Sequence, residues 1–446
     1  MDYREEYQRK LISADQAAAL VKSGDWVDYS QFNLGAVACD QALARRQEEL
    51  FGVKIRSVMR ASGPARVVEA DSTTDHFMYH SWHFSGLERK YFDRGLCWFS
   101  PILYGELPRY YREAVDRVDV AFVVVTPMNE HGYFNFSNIC SASKAICDKA
   151  KTVVLEVNRG LPWVYGGSEE SIHISEIDFV VEGDNPPLVQ LPSVPPTEVD
   201  QKIAELIMPQ ISDGACIQLG VGGMPNTVGA LLAKSDLKDL GVHTEMLVDA
   251  FIDMFEQGKI TNAKKSIDRH KMVFTFGMGT QKLYDFMNHN PVCATYPVSY
   301  TNDPFVISQN DKVVAINNAV EVDLFGQVTA ESSGLKHISG TGGQLEFTYG
   351  AYRSRGGKAF TCLSSTYNKK GEPVSRIKPI LTHGSAVTVP RTMVQYVVTE
   401  YGIAPLKGKT TWERAESIIN VAHPQFRDEL VREAEKMGIW KKSSRQ

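Results

Sequence analysis

"VDQKIAELIMPQISDGACIQLGVGGMPNTVGALL", residues 199–232, predicts an amphipathic helix, a short buried strand, a glycine-rich loop and a second helix. The same succession occurs earlier, in "ADQAAALVKSGDWVDYSQFNLGAVACDQAL", residues 14–43. A strand followed by a loop and a covering helix is the building unit of parallel α/β sheets. The chain therefore contains at least two such units.

The similarity continues beyond these two stretches. The matching features are Gly24 with Gly214, "LFGVKIRSVM" (50–59) with "DLGVHTEML" (239–247), and Gly52 with Gly241. The two glycine pairs are separated by 190 and 189 residues. Three matches in the same order indicate a duplicated α/β unit. In this alignment Glu245 falls opposite Arg56, so a structural role shared by both halves does not explain the carboxylate.

Composition excludes several classes of function. The chain has 446 residues and a net charge of −5, and it contains no basic run that would favour nucleic acid or anionic membranes. Its charged N-terminus lacks the apolar segment of a secretory signal, and no apolar run is long enough to span a bilayer. The seven cysteines include no CxxC pair. We expect a soluble cytoplasmic protein with reduced thiols.

A proline-rich stretch separates the two halves. "NPPLVQLPSVPPTEVD", residues 185–200, contains five prolines, which fix φ and remove backbone donors. We therefore predict an N-terminal domain over 1–185, a linker over 186–199 and a C-terminal domain over 200–446. Apolar β-branched runs predict strands within 120–128, 152–158, 179–183, 271–278, 305–310 and 313–317.

The loop "GVGGMPN", residues 220–226, lies where α/β sheets gather their ligands, at the carboxyl end of a strand. Its glycines allow backbone amides to approach a ligand closely, beside the positive end of the following helix. A dinucleotide fingerprint fails because Pro225 stands where the third glycine is required. The Walker pattern also fails, since no Gly-Lys-Ser/Thr follows. A tight turn between strand and helix is the alternative interpretation.

Glu245 stands among valine, methionine, leucine and phenylalanine in "LGVHTEMLVDAF", residues 240–251. A buried carboxylate costs several kcal/mol unless it is paired, hydrogen-bonded or used. A glutamate at a strand end, paired with lysine or facing solvent, is the alternative. Further candidate groups are the amide side chain of Asn317, the glycines of "HISGTGGQLEF" (337–347), and Lys358 in "RSRGGKAF" (353–360) as a phosphate ligand.

Six motifs occur in the order found in one enzyme family: "GVGGMPN", "HTEM", "INNAVEVD", "SGTGGQLEF", "RGGKAF" and "EYGIAPLKGKTTWERAESIINVAHPQFRDEL" (400–430). With the opening residues, they make the whole chain resemble the 4-hydroxybutyrate and butyryl-CoA:acetate CoA-transferases. These belong to the acetyl-CoA hydrolase/transferase branch of the family I CoA-transferases. Residues 60–115 match this family less well.

The resemblance implies a ping-pong transfer of coenzyme A between carboxylic acids, with Glu245 as nucleophile and a glutamyl-CoA thioester as intermediate. It also implies two related open α/β domains with the active site at their interface. The implied site residues are Asn317 to orient Glu245, Gly342 and Gly343 as oxyanion donors, Gly220, Val221, Gly222, Gly223 and Met224 along pantetheine, and Lys358 at the CoA phosphates. The first-domain loop 30–35 would shape the acyl pocket.

The resemblance implies no prosthetic group, since coenzyme A and acyl-CoA are substrates, and short-chain carboxylic acids complete the reaction. Homodimers or homotetramers are expected. The histidines of "HFMYHSWHF" (76–84) lack clustered acids or cysteines, so we predict no metal site.

Three alternatives remain open at this point. Water as acceptor would make the protein a short-chain acyl-CoA hydrolase. Arg60 and Arg66 could favour a dicarboxylate such as itaconate or succinate as the acid. A non-enzymatic ligand sensor would need a DNA-binding segment, which the sequence does not show.

Overall fold

The computed structural model describes residues 3–191 and 195–440. The chain divides into two compact units. The first unit comprises residues 1–192 and 273–301, and the second comprises residues 193–272 and 302–446. We predicted a single C-terminal domain over 200–446, whereas in the structure the segment 273–301 belongs to the same unit as the N-terminal residues. Residues 192–194 of the predicted linker lie outside the described residues.

Helices and strands alternate along the chain. The helices are α1 Tyr3–Lys10, α2 Ala14–Ala19, α3 Val37–Ala44, α4 Arg66–Ala70, α5 Gly86–Asp93, α6 Leu107–Glu113, α7 Ser143–Lys149, α8 Glu198–Ile207, α9 Gly223–Lys234, α10 Asp249–Glu256, α11 Gln281–Met287, α12 Val298–Thr301, α13 Pro304–Ser308, α14 Gln344–Arg353, α15 Thr411–Asn420 and α16 Pro424–Lys436. The strands up to residue 250 are β1 Trp26–Tyr29, β2 Val53–Ser57, β3 Phe77–Ser81, β4 Cys97–Phe99, β5 Val120–Val125, β6 Tyr133–Asn135, β7 Thr152–Val157, β8 Ser171–His173, β9 Phe179–Glu182, β10 Cys216–Leu219, β11 Gly241–Val242 and β12 Met246–Leu247. The later strands are β13 Met272–Phe274, β14 Phe276–Gly277, β15 Cys293–Thr295, β16 Val313–Asn318, β17 Glu321–Asp323, β18 Val328–Thr329, β19 Ser332–Ser333, β20 Lys336–His337, β21 Lys358–Cys362, β22 Thr366–Lys369, β23 Glu372–Ser375, β24 Ile377–Lys378, β25 Tyr396–Thr399 and β26 Gly402–Pro405.

The first unit is built on a seven-stranded sheet in the order β4-β3-β2-β1-β5-β7-β9. Every pairing in this sheet is parallel. All six residues of β5, "VAFVVV", are buried. Continuous apolar strands are expected where helices cover both faces of a parallel sheet. The strand predictions for β5, β7 and β9 are therefore confirmed.

The second unit is built on a six-stranded sheet in the order β11-β10-β16-β21-β25-β26. Its pairings are parallel except for the last, where β26 returns antiparallel to β25. The predicted strand at 313–317 is confirmed as β16. The predicted strand at 305–310 is wrong, because Asp303 caps a helix by accepting from the Phe305 N–H and Pro304 begins its first turn.

Five strands correspond between the two sheets. The order β2-β1-β5-β7-β9 in the first unit matches β11-β10-β16-β21-β25 in the second, with the same parallel direction. Gly24 and Gly214, which precede the corresponding strands β1 and β10, have φ values of +80° and +73°. The helices before these glycines, α2 and α8, each begin with a capping box. The duplicated α/β architecture predicted from the sequence is thus observed.

The strand register corrects one detail of the sequence alignment. Trp26 of β1 pairs with Lys54 of β2, and Cys216 of β10 pairs with Gly241 of β11. If the first strands are aligned at Gly24 and Gly214, Arg56 corresponds to His243. Glu245 therefore lies two residues further along, beyond the end of its strand. That position is the ligand-binding edge of a parallel sheet.

All seven cysteines are buried thiols. Burial raises the pKa of the Cys216 thiol to about 11. Cys216 and Cys362 belong to the core strands β10 and β21, as their apolar surroundings predict. Among the described residues, no helix combines the length and the apolar character needed to cross a membrane.

Candidate active site

Glu245 lies in the second unit, between β11 and β12. Its side chain is partly buried, and the three residues that follow it, Met246, Leu247 and Val248, are buried. A strand-end glutamate paired to a lysine was the alternative interpretation from the sequence. The groups that bond the carboxylate are instead neutral.

Two donors hold the Glu245 carboxylate. The Asn302 amide nitrogen, Nδ2, donates to Glu245 Oε2 at 2.7 Å. The backbone N–H of Gly343 also donates to the carboxylate. Asn302 is fully buried just before α13, and Gly343 is the N-cap residue of α14. Two separate helix starts therefore direct N–H groups at one carboxylate.

The environment of Glu245 makes its carboxylate unusually basic. Burial raises its pKa from 4.5 to about 7, and the hydrogen bonds from Asn302 and Gly343 act in the opposite direction. A cation beside the group would favour ionisation more strongly, but would also neutralise the charge needed for nucleophilic attack. Near neutral pH this carboxyl group is poised between its two protonation states.

Gly343 must lack a side chain where it stands. A Cβ built at this position collides with Glu245 Oε2 and approaches Asn302 Nδ2 to 2.8 Å. The preceding Gly342 has φ of +52°, a left-handed conformation that favours glycine. The structure thus brings the predicted residues Gly343 and Glu245 together, with Gly342 as the adjacent turn residue.

Asn302 also bonds a second carboxylate. Its Nδ2 donates to Glu346 Oε2 at 2.8 Å, and Glu346 is buried in the first turn of α14. Sequence reasoning missed both Asn302 and Glu346. Asn302 precedes Asp303 and Pro304, a combination that indicates only a helix start.

Asn317 does not contact Glu245, contrary to the role predicted for it. Its Nδ2 donates to Gln218 Oε1 at 3.0 Å, and Gln218 Nε2 donates back to Asn317 Oδ1 at 3.1 Å. These two amides join the neighbouring strands β10 and β16. Gly220 lies directly against this pair, since a Cβ there would approach Asn317 Oδ1 to 2.8 Å. Asn317 therefore supports the glycine loop, and Asn302 occupies the position beside the carboxylate.

The predicted CoA loop, residues 220–224, follows the carboxyl end of β10 and leads into α9. Gly222 has φ of +130° and is the N-cap of α9, without a side-chain cap. Asn318 Nδ2 donates to the Val221 carbonyl at 3.1 Å, which fixes the loop. The Val221 side chain is 62% exposed, whereas Met224 is buried. The loop therefore places backbone N–H groups at the start of the twelve-residue helix α9.

Lys358 does not lie at the ligand edge of the sheet. It is the first residue of β21, so it lies at the amino end of a strand whose parallel neighbours carry the loop at their carboxyl ends. Its Nζ donates to the carbonyl and side-chain oxygens of Gln210 at 3.0 and 3.1 Å. The prediction of a CoA phosphate contact conflicts with this position, which the sequence could not reveal because it shows no strand direction.

The first unit contains a small cleft. Asn33, Leu34 and Gly35 of the predicted acyl-pocket loop line it, together with Pro186–Val189. Arg60, considered from the sequence as a ligand for a dicarboxylate, does not offer a free charge. Its guanidinium is only 4% exposed and pairs with Asp40 at 3.3 Å. No group of three or more histidine, cysteine or acidic side chains in the described ranges could hold a metal ion.

Two family domains match this chain. Residues 1–192 match the acetyl-CoA hydrolase/transferase N-terminal domain, and residues 279–434 match the acetyl-CoA hydrolase/transferase C-terminal domain. The chain is 52% identical to the butyryl-CoA:acetate CoA-transferase of Anaerostipes caccae, over 100% of both chains. It is 40% identical to the 4-hydroxybutyrate coenzyme A transferase of Clostridium kluyveri, over 98% of this chain and 100% of that one.

The fold matches a solved structure along nearly the whole chain. The crystal structure of RipA from Yersinia pestis superposes with a TM-score of 0.89 and 34% sequence identity. The match covers 99% of this chain and 100% of that one.

Proposed function

Because the chain belongs to the acetyl-CoA hydrolase/transferase family and is an enzyme of the CoA-transferase type, we propose that it moves coenzyme A between butyryl-CoA and acetate through a thioester on Glu245. The observation that carries this proposal is the partly buried Glu245 carboxylate, held by Asn302 and Gly343. Neutral donors hold such a group in place and leave it nucleophilic.

The proposed reaction is a series of acyl transfers between Glu245, coenzyme A and the two acids. Glu245 Oε1 attacks the thioester carbonyl, the carbon–sulfur bond breaks, and a mixed anhydride and CoA thiolate result. The thiolate attacks the glutamyl carbonyl carbon, and the anhydride C–O bond breaks to release butyrate. Glu245 then carries CoA as a thioester. Acetate attacks this thioester, and the same steps run in reverse to give acetyl-CoA and free Glu245.

The donors at the Glu245 carboxylate have a second task in this scheme. When the thiolate adds to the glutamyl carbon, negative charge develops on the remaining oxygen, and Asn302 and Gly343 already donate to this carboxylate. A preorganised donor at such an oxyanion lowers the activation free energy by about 3–4 kcal/mol. Gly343 thus takes the predicted oxyanion role at the glutamyl carbonyl, and Asn302 replaces Asn317.

Several observations favour short monocarboxylic acids as substrates. The relative from Anaerostipes caccae is named for butyryl-CoA and acetate, and the one from Clostridium kluyveri for 4-hydroxybutyrate. In this chain the Arg60 charge is buried and neutralised by Asp40, so it would bind the distal carboxylate of succinate or itaconate poorly. We propose that the loop 220–224 lines pantetheine, that coenzyme A enters as a substrate without a prosthetic group, and that the enzyme is a cytoplasmic homo-oligomer.

The decisive experiment traps the intermediate. Purified protein is incubated with butyryl-CoA alone, reduced with borohydride and digested, and the peptide with Glu245 is analysed by mass spectrometry. We expect conversion of the Glu245 carboxyl to an alcohol, with no adduct and at least a ~10⁴-fold lower rate in Glu245→Ala. The exposed Glu256 on α10 provides the matched control Glu256→Ala, which should retain the adduct and the rate.

A fully active, unmodified Glu245→Ala protein would refute the mechanism. Loss of butyryl-CoA is followed with and without acetate, since an equal rate of loss in both, with free CoA as the product, would indicate hydrolysis with water as acceptor. Acetate, butyrate, succinate and itaconate are compared as acceptors, and a preference for either dicarboxylate would refute the substrate assignment.

A further inference from the structure

We propose that Glu346 is a positioning residue that keeps the nitrogen end of the Asn302 amide directed at Glu245. The inference rests on the proposed function, because Glu245 must be the nucleophile for its orientation to affect turnover. In this role Glu346 acts through Asn302, whose Nδ2 bonds both carboxylates. It therefore affects the reaction only through the amide between the two acids.

The geometry places one amide between two carboxylates. Asn302 Nδ2 lies 2.7 Å from Glu245 Oε2 and 2.8 Å from Glu346 Oε2. A carboxamide nitrogen carries two N–H donors, so these two contacts use both of them. Asn302 is fully buried and Glu346 is only 3% exposed, so water is a poor substitute for either partner.

An asparagine amide has nearly the same shape when rotated by half a turn, and its two ends differ only in hydrogen-bonding character. The rotated form would direct Oδ1 at the Glu245 carboxylate and bring two acceptors together. Oδ1 is buried and has no hydrogen-bond partner among the residues that the structure describes, so no contact on the oxygen side selects the orientation. The acceptor at Glu346 supplies that selection.

A glutamate suits this task better than an apolar side chain. Its Oε2 accepts the hydrogen bond from Asn302 Nδ2 at 2.8 Å, whereas an apolar side chain would offer no acceptor. Glu346 also lies in the first turn of the ten-residue helix α14, where the helix dipole favours a negative charge. The same helix starts at Gly343, whose N–H bonds Glu245. One helix end thus provides a donor directly and orients a second through Asn302.

The experiment compares Glu346→Met, which removes the acceptor, with Glu346→Gln, which keeps an acceptor oxygen on a side chain of nearly the same shape. Single-turnover formation of the Glu245 thioester from butyryl-CoA is measured for each, along with kcat, KM and the thermal midpoint. We expect Glu346→Met to lower the thioester rate and kcat by about 30- to 100-fold with KM changed less than about threefold. Glu346→Gln should recover the rate to within about fivefold of wild type.

A double-mutant cycle separates positioning from general destabilisation. In the Asn302→Ala background, Glu346→Met should change the rate by less than about twofold, since the amide to be oriented is gone. The control Glu321→Met removes another buried acid of the second unit, which accepts from Thr382, and should lower the thermal midpoint without lowering kcat.

A wild-type rate in Glu346→Met would overturn the inference. An equal loss in Glu346→Met with and without Asn302 would also overturn it, because the effect would then bypass the amide. Failure to trap any thioester on wild-type Glu245 would instead refute the proposed function, so the two failures are distinguishable.

Discussion

Two acids, a fully buried one in the first unit and a partly buried one in the second, are held in opposite ways. Asp28 on β1 is paired with the Arg56 guanidinium at 2.7 Å, whereas Glu245 is held by the neutral donors Asn302 and Gly343. A full positive charge stabilises an acid as part of the fold and suppresses its reactivity. Neutral donors leave burial as the dominant effect, so the pKa of Glu245 rises to about 7. The duplicated fold tolerates both solutions, and only the second suits a nucleophile.

The helix starts beside the two sheets show the same contrast. In the first unit, the N–H groups of Ala38 and Cys39 at the start of α3 donate to the buried Glu156 carboxylate at 3.1 and 2.9 Å. In the second unit, the corresponding helix α9 starts at the glycine loop, and its N-cap Gly222 provides no side-chain acceptor. In the first unit, a carboxylate of the same unit accepts the hydrogen bonds of the N–H groups at the helix start. In the second unit, the helix start presents its backbone N–H groups where we propose that coenzyme A binds.

The largest effect should come from breaking the ion pair of the first unit. Arg56→Met leaves Asp28 buried without its cation, and should lower the free energy of unfolding by about 3–5 kcal/mol. The change compared with it in the second unit, Gln218→Met, leaves the neutral Asn317 amide without its Gln218 partner, which should cost about 1–3 kcal/mol. Urea unfolding measures both. Equal losses would remove the distinction between a charged and a neutral pair.

The next effect tests how closely the nucleophile is enclosed. Gly343→Ala introduces a Cβ that collides with the Glu245 carboxylate and displaces Asn302. We expect kcat to fall at least about 100-fold, because a misplaced donor is nearly equivalent to a missing one. Gly86→Ala in the first unit is the matched control, since a Cβ there meets only the Arg89 side chain at an ordinary 3.6 Å. Normal turnover in Gly343→Ala would show that Glu245 has more room than the structure gives it.

The pH dependence sharpens the contrast between the two acids. Only the ionised Glu245 attacks, so kcat/KM for butyryl-CoA should rise about tenfold per pH unit below pH 7 and level off above it. Because the folded protein holds this proton more tightly than the unfolded chain, ionisation above pH 7 destabilises the fold. Glu245→Gln should therefore raise the free energy of unfolding by about 1–3 kcal/mol at pH 8. That gain should shrink as the pH falls from 7 towards 4.5, and a pH-independent gain would contradict the assignment.

The smallest effect concerns Lys358, which the sequence placed at the CoA phosphates. Its ammonium group already bonds Gln210 at the opposite end of the strand. Lys358→Met should change the KM for butyryl-CoA less than about twofold and the stability by about 1 kcal/mol. Steady-state kinetics and thermal unfolding measure these quantities. A tenfold rise in KM would restore the phosphate role predicted from the sequence.

Local patterns in the sequence predicted most of the fold. The repeated helix, turn and strand around Gly24 and Gly214 predicted the two related sheets, because each repeat is a contiguous segment. The membership of 273–301 in the first unit was not predictable in this way, since it depends on packing between distant segments. The helix at Pro304–Ser308 was missed because its β-branched composition outweighed the Asp303 and Pro304 start signals.

The candidate site was predictable only in part. Glu245 stood out because a carboxylate in an apolar run needs an explanation, and the family resemblance supplied one. Asn302 lies 57 residues further along, and no local feature distinguishes it from the chemically similar Asn317. Choosing between them requires knowing which loops meet at the carboxylate. Lys358 shows the same problem, because a sequence segment does not reveal which end of a strand faces the ligand.

The burial of all seven cysteines has a consequence for an enzyme with the proposed mechanism. Each turnover would generate CoA thiolate, a species that exchanges readily with accessible disulfides, and oxidised CoA would in turn react with exposed protein thiols. Shielded, protonated sulfhydryls such as Cys216 are poor partners for that exchange. The protein could thus work in a pool of CoA disulfide without accumulating mixed disulfides.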